Sequence, residues 1–320
     1  MINKEYTSTG PFMGPHIREK WTSQWIMQQV LIALVFPTIA AVYFFGLWSL
    51  VMVIVSIVAC VGLEFAFQKI VWKKVTITDY SAVITGWLLA LTLPVTAPLW
   101  TLLIGDFIAI IVVKQLAGGI GRNWLNPAVA ARVLLKLFFS PWITNWVTPQ
   151  PDVVATATPL VDLGNFAREI SPTTPDLVDL FMGVGLGGPI GETCKFALLL
   201  SASYLIVRKI INPLVPVITM VSFYGSILLC SSFNFAFASA HLLSGALIFA
   251  AVFMVTDYTT SPLTDKGKYI FALGCGVLAA TLRISMDLPG GIGVAILVMN
   301  LLVPVINKYT VSRIYGEQFR

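Results

Sequence analysis

The chain has 320 residues, of which 57% are hydrophobic and only 11% charged, and its mean hydropathy is +0.86. Apolar runs of about 18 to 22 residues recur from end to end, each long enough to cross a bilayer, which excludes a water-soluble domain. The formal net charge of +5 therefore speaks to membrane topology and not to nucleic-acid affinity.

Residues 1–23 form a polar arm with Lys4, His16, Arg18 and Lys20, and no cleavable signal peptide is expected. The apolar pattern predicts a first span over about 24–45, closed by Gly46, and a second over about 47–67. Lys69, Lys73 and Lys74 follow. A third span covers about 80–95, Pro98 marks a turn, and the fourth runs over about 99–116. The stretch Gly118-Gly-Ile-Gly-Arg-Asn-Trp-Leu-Asn-Pro127 then leads into a fifth span ending near Ile143. A polar loop over about 144–192 precedes five more spans, at about 193–208, 213–231, 239–256, 269–286 and 292–308. The expected architecture is a single all-α membrane domain of about ten transmembrane helices.

The charges order these segments. With the N-terminus inside, fifteen of the twenty Lys and Arg residues fall on or next to the inner side. Both termini are then cytoplasmic and the 144–192 loop is external, which agrees with its acids Asp152, Asp162, Glu169, Asp176, Asp179 and Glu192 against Arg168 alone. Arg132, Lys136 and Lys195 lie within spans. Gly-Gly-Ile-Gly recurs at 118–121 and 290–293, each time before the last helix of a five-span half, on opposite sides of the membrane. That placement is the one an inverted repeat requires, with halves at about 24–143 and 193–308. Thr78-Asp-Tyr80 and Thr256-Asp-Tyr258 are not in equivalent places and read as coincidence.

Within the spans, Asp106 is the one carboxylate near a span centre, where a charge is costly. It is a candidate for an ion pathway, or else a structural ion pair or a protonated, hydrogen-bonded acid, with Lys114, Arg132 and Lys136 as possible partners. Glu64 lies nearer the cytoplasmic end of its span, close enough to reach the interface. Cys60, Cys194, Cys230 and Cys275 sit singly with no metal spacing and read as small apolar residues, as His16 and His241 read as hydrogen-bonding groups. Trp21, Trp25, Trp142 and Trp146 fall at span ends, where an interfacial belt is expected. No GxGxxG after a strand and no P-loop is present, so NAD and ATP sites are not expected within this chain.

In the external loop, Asp152-Val-Val-Ala-Thr-Ala-Thr158-Pro159 makes a poor helix and a poor strand, and Pro159 pushes Thr158 into extended backbone. Such a peptide is either an ordinary polar loop or a hydroxyl offered to a modifying enzyme. It resembles the flavinylation motif Asp-x-x-(Ser/Thr)-Gly-Ala-(Ser/Thr) of the family comprising the B subunit of the Na⁺-translocating NADH:quinone reductase and the D subunit of Rnf complexes. Asp152, Ala157 and Thr158 match, while Ala155 and Thr156 stand where the family has a hydroxyl and a glycine. The likeness extends to Gly14-Pro-His-Ile-Arg18, to Gly118–Ala128, to Thr256–Thr264 and to Gly290–Asn300. The short N-terminal arm is similar to the Rnf branch rather than the quinone-reductase branch.

The resemblance implies an FMN held by a phosphoester to Thr158, attached by a flavin transferase that reads Asp152 to Thr158. It implies an electron carrier within a complex that couples electron transfer between ferredoxin and NAD⁺ to Na⁺ or H⁺ transport, with no turnover by this chain alone. The implied partners are the other Rnf subunits, including a second flavin-bearing subunit and membrane iron–sulfur subunits, in a prokaryotic inner membrane. The family fold is similar to urea and ammonium channels. The family also carries a non-covalent flavin, reported as riboflavin, towards the cytoplasm. Asn123 and Asn126 could meet it, since amides suit an isoalloxazine edge and glycines allow close approach. The competing reading of Gly118–Pro127 is a re-entrant helix cap. A channel or secondary transporter, or a scaffold for other redox subunits, are the alternative functions.

Overall fold

The computed structural model describes residues 22–72, 75–147, 175–286 and 290–311. The described residues are helical, with no strand among them. Helix α1 (Ser23–Phe45) starts where the Thr22 hydroxyl accepts the Trp25 amide at 3.2 Å, and it stops at Gly46, whose φ of 81° suits only glycine. Helix α2 (Leu47–Phe67) continues as a π segment over Gln68–Trp72. Helix α3 (Ser81–Leu91) ends ahead of Pro94 and Pro98, and α4 (Leu99–Phe107) starts directly after Pro98. Immediately after Asp106 the helix widens into a π segment, Ile108–Gln115. Asn126 caps α5 (Pro127–Phe138) and Pro127 occupies its first turn, followed by a single turn, α6 (Ser140–Ile143).

The second half begins with α7 (Leu177–Met182) and α8 (Lys195–Val207), then α9 (Leu214–Cys230). Helices α10 (Phe235–Leu243) and α11 (Leu247–Phe253) form one apolar unit bent by 57° at the break around Gly245. Thr264 caps α12 (Asp265–Ser285), and α13 (Gly291–Thr310) completes the described chain.

Each of the ten apolar segments expected from the sequence contains helix, but the described residues do not make ten membrane-length helices. Four are long and apolar enough to cross a bilayer (Ser23–Phe45, Leu47–Val71, Asp265–Ser285 and Gly291–Thr310), or five if the bent α10–α11 pair is one span. The others are cut short by proline or by chain breaks: α3 holds 11 residues, α8 13 and α9 17. Short helices leave backbone groups to satisfy, and these find each other. The amides of Ile190 and Gly191 donate to the carbonyls of Leu93 and Leu91 at 3.0 and 2.8 Å, docking the segment before α8 onto the end of α3.

The core lies between α2, α3, α4 and α5 on one side and α9, α11, α12 and α13 on the other, with α1 against α8. Close helix approach is set by glycine, as in other membrane bundles. A Cβ on Gly86 of α3 would stand 2.7 Å from the Ser56 carbonyl of α2, and one on Gly276 of α12 would collide with Ser222 and Thr219 of α9. Outward faces remain apolar: Ile39, Val58, Val207, Leu229 and Leu301 are all exposed. In water such faces would aggregate; against lipid tails they are at home.

Candidate functional site

Helices α5, α7, α8 and the α10–α11 break enclose a cavity of about 650 Å³, within the range of small-ligand pockets. Arg132 and Lys136 enter it from successive turns of α5, and Lys195 enters from the first turn of α8. Glu192 is placed there by the backbone bonds of Ile190 and Gly191 to the end of α3. Lys195 Nζ donates to the carbonyls of Glu192 and, at 3.4 Å, Gly245. Behind the wall, Arg283 of α12 donates Nη1 to the carbonyls of His241, at 2.6 Å, and Ser244, at 3.4 Å, and its guanidinium lies 4.7 Å from the Phe223 ring centroid.

Four cations thus surround one acid, and no described residue closes a salt bridge with Glu192. Burial pushes the Glu192 carboxyl above the usual carboxylate range, with the Arg132 guanidinium foremost among the charges opposing that rise. Arg132 Nη1, Arg283 Nε and Nη2, the Ser244 hydroxyl and both His241 ring nitrogens are buried without a hydrogen-bond partner among the described residues. Buried donors are rarely left so. Glycine opens the wall: Gly290 and Gly293 line it, and a Cβ at Gly290 would stand 3.3 Å from Lys136 Nζ. The arrangement is that of a site for a bulky, largely apolar ligand carrying negative charge.

Thr144 and Trp146 line the cavity just before the residues that are not described, and Leu180 lines it just after them. Asp152, Ala157 and Thr158 themselves lie outside the described residues.

A second polar cluster lies at the Gly118–Pro127 end. Gly118, Gly119 and Gly121 have φ of 108°, 90° and 78° and turn the chain back. Asn123 accepts from the Gly121 amide at 3.2 Å and donates to the Leu125 carbonyl at 3.1 Å; Asn126 accepts from Val129 N at 3.2 Å and donates to Asp257 at 3.1 Å. Both amides are thus engaged within the fold, and the void beside them measures about 90 Å³. Asp257, in the segment after α11, also accepts from the Thr259 amide and from the hydroxyls of Thr259 and Thr260. Burial pushes its carboxyl up and these hydrogen bonds pull it back.

Glu64 does not reach the interface as its position suggested; it is buried and accepts Lys114 Nζ at 2.7 Å and Gln68 Nε2 at 3.0 Å. Lys114 also donates to Ser81, which donates to Asp79 at 2.7 Å. The expected partners of Asp106 are therefore elsewhere: Lys114 is committed to Glu64, and Arg132 and Lys136 line the cavity. Asp106 meets instead Ser56 at 2.6 Å and Cys60 at 3.3 Å, both from α2. The sequence reading missed the Arg132–Lys136–Glu192–Lys195 constellation. Its signal was present as the three basic residues that fell inside spans rather than beside them.

Residues 12–316 match the family described as NQR2, RnfD, RnfE. The D subunit of a Na⁺-translocating ferredoxin:NAD⁺ oxidoreductase complex from Acetobacterium woodii is 40% identical over 305 residues, covering 95% of this chain and 94% of that protein. Its proton-translocating counterpart from Clostridium ljungdahlii is 36% identical, covering 95% of each. The D subunit of an ion-translocating oxidoreductase complex from Vibrio cholerae is 31% identical, covering 95% of this chain and 98% of that protein. With nearly the whole sequence matched at this level, the chain belongs to the NQR2, RnfD, RnfE family.

Proposed function

We propose that this chain is the D-type membrane component of a complex that couples electron transfer between ferredoxin and NAD⁺ to Na⁺ or H⁺ translocation, and that it carries FMN covalently on Thr158, with the flavin ring seated in the 650 Å³ cavity. The observation that carries this reading is that described residues on both sides of Thr158, Thr144 and Trp146 before it and Leu180 after it, line a cavity with surplus positive charge and orphaned donors. The residues present fit the group. FMN, when bound, supplies the capacity to take up and release electrons, which side chains of this kind do not have. Arg132 and Lys136 offset the negative charge of the phosphate and of added electrons. Arg132 Nη1 and the Ser244 hydroxyl gain the hydrogen bonds they lack in the protein alone. Glu192 limits the excess of positive charge, and the apolar walls keep water from the ring.

The orientation proposed from charge places this loop and cavity outside and both termini inside. In that orientation an external transferase reaches Thr158 after export. The two halves of the chain are proposed as an inverted repeat. A second, non-covalent riboflavin at Asn123 and Asn126 does not fit the residues as placed: the void of about 90 Å³ is below ligand-pocket size and the amides are engaged.

The test is the intact mass of the chain purified from the complex. An adduct of FMN mass is expected on the wild type and is absent from Thr158→Ala. Fluorescence that survives Thr158→Ala and is lost with Thr156→Ala moves the attachment two residues upstream. Absence of any adduct, with solute flux into liposomes independent of redox substrate, replaces this function with a channel.

A further inference from the structure

Asp106 is fully buried at the centre of the α2–α3–α4 contact, and its surroundings are unlike those of the other membrane acid, Glu64. Its Oδ1 lies 2.6 Å from Ser56 Oγ and 3.3 Å from Cys60 Sγ, while Oδ2 is buried with no partner among the described residues. No described cation pairs with it. Lys114, eight residues further along the same helix, is already bonded to Glu64 and Ser81. An ionised carboxylate here would be an uncompensated charge within the membrane core.

Counting protons leads to the same place. Ser56 Oγ is within hydrogen-bond distance of two acceptors, Asp106 Oδ1 at 2.6 Å and the Gly86 carbonyl at 2.8 Å, yet a hydroxyl has one proton. If the acid carries the proton, Asp106 donates to Ser56 and Ser56 donates to Gly86, and both contacts are satisfied in one direction. A metal cation does not fit. Hard cations gather about six oxygen ligands. Here one of the nearest groups is a thiol, and the α2–α3 contact is so close that a Cβ on Gly86 would stand 2.7 Å from the Ser56 carbonyl and 3.0 Å from Cys60 Sγ.

We propose that Asp106 is a proton-binding site, held as the neutral acid by a hydrogen-bond chain that runs through Ser56 and ends on the Gly86 carbonyl, and not a ligand for Na⁺ or another metal cation. A pathway through this point carries protons only. The proposal is independent of the flavin on Thr158.

The test is the infrared spectrum of the assembled complex, wild type minus Asp106→Asn, in H₂O and in D₂O, with and without Na⁺. The expected result is loss of one neutral-carboxyl C=O band that shifts in D₂O and does not respond to Na⁺. Loss of the paired carboxylate bands instead, or conversion of the neutral band to carboxylate by Na⁺, overturns it. Ser56→Ala serves if Asp106→Asn does not assemble: the band should move as its hydrogen bond is lost, and an unmoved band removes the assignment to Asp106. Flavin fluorescence of the denatured chain, read on the same samples, reports separately on Thr158.

Discussion

The two buried charge clusters of this chain are built to different standards. Around Glu64 every side-chain oxygen of Glu64, Gln68 and Ser81 has a partner, the lysine and the acid are one to one, and the chain of bonds closes on Asp79 and Thr76. Around Glu192 four cations face one acid, no salt bridge closes among the described residues, and donors on Arg132, Arg283, His241 and Ser244 find no partner there. A completed polar network rigidifies a fold; an incomplete one is costly unless something else completes it. The first cluster is complete by itself, and the second is the one proposed to bind a ligand.

The sharpest way to break that contrast is Thr158→Ala, which should remove all in-gel flavin fluorescence of the denatured chain, whereas Thr158→Ser should retain part of it and Thr156→Ala all of it. Next in size is Glu64→Ala. It leaves Lys114 as an unpaired buried charge and should cost about 3–5 kcal/mol in thermal or denaturant unfolding, with the fluorescent label intact on whatever folds. If instead the label is lost from folded protein, the Glu64 cluster is not merely structural. Arg132→Met should do the reverse: little loss of stability, the label retained, and a lower flavin midpoint potential in a redox titration. Weakening the charge stabilisation by about 1.4 kcal/mol would appear as about 30 mV for a two-electron couple. A cost of several kcal/mol with no change in potential would make the cavity cluster structural as well. Smallest is Asn126→Ala, which removes the α5 cap and a bond to Asp257 and should cost about 1 kcal/mol by the same unfolding measurement.

The helices were legible because membrane spans write themselves as unbroken apolar runs, and Asn126-Pro127 announced its own helix start. Span lengths were less so, since backbone pairing such as that of Ile190 and Gly191 with the end of α3 lets a short helix stop inside the fold without leaving bare amides. Thr158 was readable as a motif on a continuous peptide. The cavity was not, because Arg132 and Lys136 come from α5, Glu192 from the segment before α8 and Lys195 from the first turn of α8, and only the docking of that segment onto the end of α3 brings them together. The partner of Lys114 was recoverable: Ser56, Cys60 and Glu64 recur at four-residue intervals and mark a polar stripe on α2.

The widened turns after Asp106 act as a phase shifter on that stripe. In regular α geometry eight residues at about 100° each would leave Asp106 and Lys114 about 80° apart around the helix. Both nevertheless meet α2, at Ser56 and Cys60 and at Glu64, because the Ile108–Gln115 stretch winds more slowly and keeps the second side chain from overshooting the first. Ordinary α pitch over the same eight residues would swing Lys114 off its acid, whereas deleting one residue as the pitch is restored would leave seven steps of about 100° each and keep Lys114 within about 20° of the Asp106 face. The timing of this helix, not only its composition, decides which charges in the membrane are neighbours.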